Sequence, residues 1–252
     1  MDERFSRTER LLGAAAMQRL AAANVAVFGV GGVGGYVVEA LARSGVGTLH
    51  LIDGDVVSLS NLNRQIIALE DTVGTPKVEA AAARVAKINP ACRLICSRTF
   101  VLPETIGQFD FSAYSYVVDA IDTVSGKLAI VQAATDAGVP VISAMGAGNK
   151  LNPTRFEVAD IYKTTVDPLA RVMRYECRRR GIEKLKVVYS TEPPLAPASP
   201  EEPPADGAGA RRSVPGSLSF VPSVAGLILA GEVVRDLISS DFSASDPGKK
   251  GT

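Results

Sequence analysis

Apolar positions along this chain fall into two alternating kinds of segment. Short apolar runs at 25–29, 48–52, 93–100, 116–120 and 139–143 have strand length and are rich in Val, Ile and Leu. Longer segments at 34–43, 77–88 and 124–137 lie between them and repeat their apolar positions with helical spacing. Runs without a polar face suit strands buried on both sides, and a helical segment between two of them is the crossover that parallel strands need. The pattern therefore predicts an α/β fold of Rossmann-like type: a doubly wound, mainly parallel sheet with helices on both faces and right-handed crossovers.

Other segments read less regularly. Residues 2–23 set Arg4, Arg7, Arg10 and Arg19 among Phe5, Leu11, Leu12, Met17 and Leu20, which predicts one or two helices before the first strand. Residues 104–109 read as a short helix or a loop, 155–160 as an additional strand and 168–180 as a helix. Residues 191–215 hold seven of the fifteen prolines together with Glu192, Glu201, Glu202 and Asp206. Such a stretch has too little apolar surface to order itself and predicts a mobile crossover loop inserted within a domain. Structure is expected to return as a strand at 217–221, an N-cap at Ser223 and an apolar helix at 224–238. Residues 1–238 thus read as a single domain with the flexible insertion 191–215, and 239–252 as a disordered tail.

The first strand breaks into Gly29, Gly31, Gly32, Gly34 and Gly35 and passes straight into a helix. A turn of this kind needs residues that accept positive φ and lets backbone N–H groups approach a phosphate, which the helix N-terminus then favours electrostatically. Glycine-rich turns also occur for purely structural reasons. Here the second strand ends in Asp53, 24 residues after Gly29, a position suited to a carboxylate that binds a ribose hydroxyl. Asn61, Arg64 and Lys77 follow in a polar loop and at a helix start, and Asp122 stands at the end of another strand, where open α/β sheets bind ligands. Two cations and a carboxylate beside a phosphate site are the parts of nucleotidyl or phosphoryl transfer, with Mg2+ held by Asp122. Hydride transfer to a nicotinamide would leave Arg64, Lys77 and Asp122 without a role.

Composition narrows the setting. With 252 residues, 46% of them hydrophobic, the chain can bury a full core, and its 27 basic residues balance 27 acidic ones. Three cysteines cannot all pair, and no charged leader precedes an apolar stretch, so a reducing, cytoplasmic setting is expected. No run approaches the roughly 18 apolar residues that a spanning helix needs, so stable membrane insertion is not expected. Charge is nevertheless uneven: residues 150–186 carry ten basic and five acidic side chains. In the helix predicted at 168–180, Leu169, Val172 and Met173 share one side while Arg171, Arg174 and Arg178 gather on the other. Such a stripe is commonly a solvated face, but it also fits contacts to a phosphate backbone.

Several motifs in order, the glycine turn, Asp53-x-Asp55, the segment Ser58–Gln65, Gly74-x-Pro-Lys77 and Asp119-x-x-Asp122, resemble the E1-like adenylating superfamily. That superfamily includes the ubiquitin-activating enzymes and the adenylating enzymes of thiamine and molybdopterin biosynthesis. The resemblance covers nearly the whole chain. It implies that Gly29, Gly31, Gly32, Gly34, Asp53 and Asp55 belong to an ATP site, with Asp53 on the ribose and Asn61, Arg64 and Lys77 on the triphosphate. It also implies that Asp122 holds Mg2+ and that Arg7 reaches the phosphates of a neighbouring subunit, hence a homodimer. Within the superfamily, residues 3–13, 145–163 and 168–174 look like the tRNA threonylcarbamoyladenosine dehydratases. These imply a reaction: ATP adenylates the carboxylate of the threonylcarbamoyl group at adenosine 37, and the carbamoyl group displaces AMP to close a ring. Arg7, Arg64, Lys77 and Asp122 would then be catalytic, and Lys150, Arg155, Arg171, Arg174 and Arg178 would contact tRNA. Sulfur-transfer proteins are further candidate partners.

The alternative within the superfamily is activation of the C-terminal carboxylate of a ubiquitin-like or sulfur-carrier protein. Against it stands the lack of two Cys-x-x-Cys pairs for structural zinc: the chain offers Cys92-x-x-x-Cys96 and a lone Cys177. Cys177 falls toward the apolar side of its helix and reads as buried and inert. His50, inside a strand, reads as structural.

Overall fold

The computed structural model describes residues 2–196 and 215–242. One seven-stranded sheet runs in the order β3-β2-β1-β4-β5-β7-β6. Its strands are β1 (Asn24–Phe28), β2 (Thr48–Ile52), β3 (Arg93–Ser97), β4 (Tyr116–Asp119), β5 (Val141–Ala144), β6 (Phe156–Asp160) and β7 (Lys186–Ser190). All neighbours pair in parallel except β6, which lies antiparallel to β7 at the edge. The helices are α1 (Ser6–Leu12), α2 (Ala14–Ala22), α3 (Gly34–Arg43), α4 (Lys77–Ile88), α5 (Val124–Asp136), α6 (Pro168–Arg179) and α7 (Phe220–Phe242).

Alternate strand residues enter different cores, as the pleat requires. Val25 and Val27 join Leu49, Leu51 and Val118 under α3, α4 and α7, whereas Ala26 and Phe28 join Val117 on the other face with Ile130 and Ala134 of α5. Helices therefore cover both faces, and the doubly wound sheet is the one the sequence predicts. His50 is structural as expected: Nδ1 and Nε2 lie 2.8 Å from the Tyr114 hydroxyl and the Ser97 hydroxyl, and burial lowers its pKa. Cys177 is fully buried against Met173 and Ala170, and its burial pushes the thiol up to about 11.

Several expectations need correction. Residues 217–221 form no strand; α7 begins at Phe220, because Pro222 has no N–H to give a sheet and fits the first turn of a helix. Ser223 therefore lies inside α7 rather than capping it, and α7 continues past 238 to Phe242. Strand β7 was not expected, yet it pairs with β5 on one side and β6 on the other. The runs at 93–100 and 139–143 shorten to β3 and β5, and residues 106–108 make a single 3-10 turn. Most of the predicted mobile loop, residues 197–214, and the tail beyond 242 lie outside the described residues.

Candidate active site

The carboxyl ends of β1, β2, β4 and β5 surround a cleft of about 690 Å³, within the range of small-molecule sites. Its floor is the turn between β1 and α3. Gly29 has φ +88°, and a Cβ there would lie 2.8 Å from the Ala120 carbonyl oxygen, so no other residue fits without moving β4. Gly34 does not line the cleft: a Cβ on it would run into the Gly29 carbonyl oxygen, so its place is to let α3 close on β1.

Asp53 is aimed by backbone donors. The Val30 N–H donates to Oδ2 at 2.7 Å and the Asp55 N–H to Oδ1 at 2.9 Å, which leaves a lone pair on each oxygen for a hydroxyl donor. Lys77, the first residue of α4, is buried, with Nζ 2.8 Å from Asp55 Oδ2, and its backbone N–H donates to the Asp55 carbonyl. Asp55 is half-exposed and at once gives Lys77 a partner and can surrender it to a phosphate.

Asn61 Oδ1 accepts from the Ser58 N–H at 3.1 Å, so the amide leaves its NH2 to donate. Arg64 is oriented through Nη1, which donates to the Ser60 carbonyl and to Asn63 Oδ1. Asp122 lies exposed on the loop after β4, its carboxylate 3.4 Å from the Thr123 hydroxyl. Gly29, Gly31, Gly32, Asp53, Asp55, Asn61, Arg64, Lys77 and Asp122 thus meet in one cleft. Gln65, which ends the Ser58–Gln65 motif but was given no role from the sequence, is buried against the turn with an Oε1 that has no hydrogen-bond partner among the described residues. Its place directly after Arg64 in the same loop is the signal that could have marked it. No cysteine and no histidine lines the cleft.

The remaining candidates are elsewhere. Arg7 is exposed on α1 and takes no part in the lining. Phe5, just before α1, and Met17 pack beside Gly45 in the turn from α3 into β2, which is the end of the sheet opposite the cleft. Lys150 is only 4% exposed; Nζ donates to the Glu192 carbonyl at 2.7 Å and stands 3.7 Å from Asp167 Oδ2. Arg174 folds onto Thr164, donating to its carbonyl and hydroxyl at 2.7 and 2.6 Å. Arg155, Arg171 and Arg178 remain exposed. The buried side of α6 is Ala170, Met173 and Cys177, while Val172 is exposed beside Tyr175. The arginine stripe is therefore interrupted at Arg174 and includes an aromatic.

A family model described as the ThiF family matches residues 5–247. The chain is 46% identical over 243 residues to the tRNA threonylcarbamoyladenosine dehydratase of Bacillus subtilis, a match covering 94% of this chain and 96% of that one. In three dimensions it is similar to the Escherichia coli tRNA N6-threonylcarbamoyladenosine dehydratase, TcdA, in complex with ATP, with TM-score 0.85 and 34% identity over 97% of each chain. The same enzyme in complex with AMP matches with TM-score 0.85 and 36% identity over 96% of each chain. The family model and the Bacillus subtilis relative, each matched over nearly its whole length, show that this chain belongs to the ThiF family.

Proposed function

We propose that this chain is an ATP-dependent tRNA threonylcarbamoyladenosine dehydratase, acting on the threonylcarbamoyl carboxylate of adenosine 37. The observation that carries the reading is a cleft that gathers Asp53, Asn61, Arg64, Lys77 and Asp122 over the glycine turn and holds neither thiol nor imidazole. A carboxylate becomes an electrophile once its oxygen can depart as AMP. Carboxylate attack on the α-phosphorus expels pyrophosphate; the carbamoyl group then attacks the acyl carbon and expels AMP, which carries away the oxygen lost as water. Ring closure is intramolecular, so positioning and charge stabilisation suffice.

In this reading Asp53 fixes the ribose, and Asn61, Arg64 and Lys77 bind the triphosphate and stabilise the charge that develops as pyrophosphate leaves. Among the described residues no group of three or more His, Cys, Asp or Glu could hold a metal alone. The exposed Asp122 carboxylate at the cleft fits a magnesium ion shared with nucleotide phosphates, which would neutralise charge on the departing group. Arg7, at the wrong end of its own sheet, would complete the site of a second copy in a homodimer. Residues 1–238 would work as one adenylation domain. tRNA would meet Arg155, Arg171 and Arg178, but not Lys150 or Arg174, whose charges are occupied inside the protein. Any sulfur-transfer partner would have to bring its own reactive thiolate, since burial pushes Cys92 and Cys177 up to about 11 and, with the nearby Glu79, also raises the exposed Cys96. No helix among the described residues is long and apolar enough to cross a membrane, and a tRNA substrate places the reaction in the cytoplasm.

Activation of a carrier protein is not favoured, because a relative 46% identical along nearly the whole chain is named as a tRNA dehydratase. Measuring pyrophosphate and AMP release separates the two. The expected result is release of both that depends on tRNA bearing threonylcarbamoyladenosine. Pyrophosphate released with a ubiquitin-like carrier protein and not with that tRNA would overturn the reading.

A further inference from the structure

Lys127 and Asp119 form an ion pair with both side chains fully buried, Nζ to Oδ2 2.9 Å. Removing two charges from water is costly and seldom retained for stability alone, since apolar residues of the same shape often serve as well. The pair sits directly behind the loop that carries Asp122. Asp119 is the last residue of β4, and Lys127 lies in the first turn of α5. Lys127 Nζ also donates to the Ile121 carbonyl at 3.1 Å, while the Ile121 N–H lies 3.4 Å from Asp119 Oδ1. Both backbone groups of Ile121 are thus turned toward the pair. The Ser143 hydroxyl, from the facing position on β5, donates to Asp119 Oδ2 at 2.5 Å and fixes that carboxylate.

Neighbouring contacts leave the loop little freedom in other directions. The Ala120 N–H donates to the Phe28 carbonyl, and Ala120 and Ile121 press on Gly29, the first residue of the turn. Among the described residues, Asp122 itself is exposed and held by nothing stronger than the long contact to Thr123. Its carboxylate can be delivered to a fixed point only by its backbone, and the backbone on its amino side is held by Lys127.

We propose that Lys127 is a positioning residue that, through the Ile121 carbonyl and the buried Asp119–Ser143 pair, sets where the Asp122 carboxylate meets the metal-bound nucleotide. The inference rests on the reading of Asp122 as a magnesium ligand. It predicts that loss of the tether weakens the magnesium-dependent part of ATP binding and spares the part that needs no metal.

Calorimetric titration of the full chain with ATP, in MgCl2 and in EDTA, tests it on three proteins: wild type, Asp122→Asn, and the double variant Asp119→Asn, Lys127→Met. The double variant leaves no uncompensated buried charge yet lacks the tether, so a merely structural pair would be replaced without consequence. The expected result is that wild type gains affinity with Mg2+, and that Asp122→Asn and the double variant each lose at least tenfold of that gain. Binding in EDTA should stay within about twofold of wild type. A double variant that keeps the full gain while Asp122→Asn loses it would overturn the role of Lys127. An undiminished gain in Asp122→Asn would instead overturn the reading of Asp122 on which the inference rests. Should the double variant not fold, Ser143→Ala, which keeps both charges, decides the matter: a threefold or greater loss supports the inference and no loss overturns it.

Discussion

Lys77 shows how a single residue can be held for a ligand before the ligand arrives. Its ammonium is buried, but its carboxylate partner Asp55 is half in water, so the pair can open at little cost when a phosphate takes the place of Asp55. We expect Lys77→Ala to lower turnover by about 10²-fold or more, the size of effect seen when one charge-stabilising donor is removed. The melting temperature should change little, because Asp55 can be solvated. Steady-state rates and a thermal melt on the same preparation check this, and a variant with turnover within a few-fold of wild type would exclude Lys77 from the site. Lys77 was legible in the sequence because it opens a helix directly after a proline. Lys127 was not, because a lysine near the start of a helix looks like any solvated lysine until the topology sets Asp119 and Ser143 around it. Lys150 and Arg174 misled for the converse reason: charge counting cannot see Glu192 or Thr164 folding onto them.

Among the elements, α6 joins the cleft to the outer surface. Leu169 in its first turn lines the cleft, and the helix extends about 15 Å from there. Along its outer side run Arg171, Tyr175 and Arg178, the last lying 5.2 Å over the Tyr162 ring. Tyr175 is 62% exposed, with the Arg179 guanidinium 5.8 Å from its ring centroid. An exposed aromatic among arginines suits RNA, where bases stack on rings and guanidinium groups meet phosphates. If α6 contacts tRNA, Arg171→Ala with Arg178→Ala should weaken tRNA binding about tenfold or more and flatten its salt dependence, with ATP affinity unchanged. Filter binding across a salt series reads both, and an unchanged slope would move the RNA to another face. The helix itself was legible from its periodicity, but its inward side was drawn about a quarter of a turn off, because Val172 counts as apolar whether or not it is buried. β7 escaped notice because Lys186–Ser190 follows a dense basic stretch, and the sequence 217–221 looked like a strand until Pro222 placed it at the start of a helix.

For the whole molecule, the doubly wound, mainly parallel architecture was readable in advance, since alternating apolar runs and periodic segments leave few topologies once crossovers are right-handed. What one chain could not reveal is how Arg7 reaches a site. α1 begins beside Gly45, at the end of the sheet away from the cleft, so if Arg7 serves that chemistry it does so across a subunit boundary. In a homodimer built this way, Arg7→Ala and Lys77→Ala should each be inactive alone. Co-expressed, they should recover about a quarter of wild-type activity, since half of the dimers are mixed and each mixed dimer has one intact site. Absence of recovery in a mixed dimer that demonstrably forms would place Arg7 outside the chemistry.

The claim on which all of this stands is that the protein removes water from a tRNA nucleoside at the expense of ATP. Its most direct test is to incubate the full chain with ATP, magnesium and tRNA bearing threonylcarbamoyladenosine, digest the tRNA and weigh its nucleosides by mass spectrometry. The expected product is lighter by one water, formed only when ATP is present and accompanied by AMP. A nucleoside of unchanged mass, from protein that demonstrably binds ATP, would contradict it.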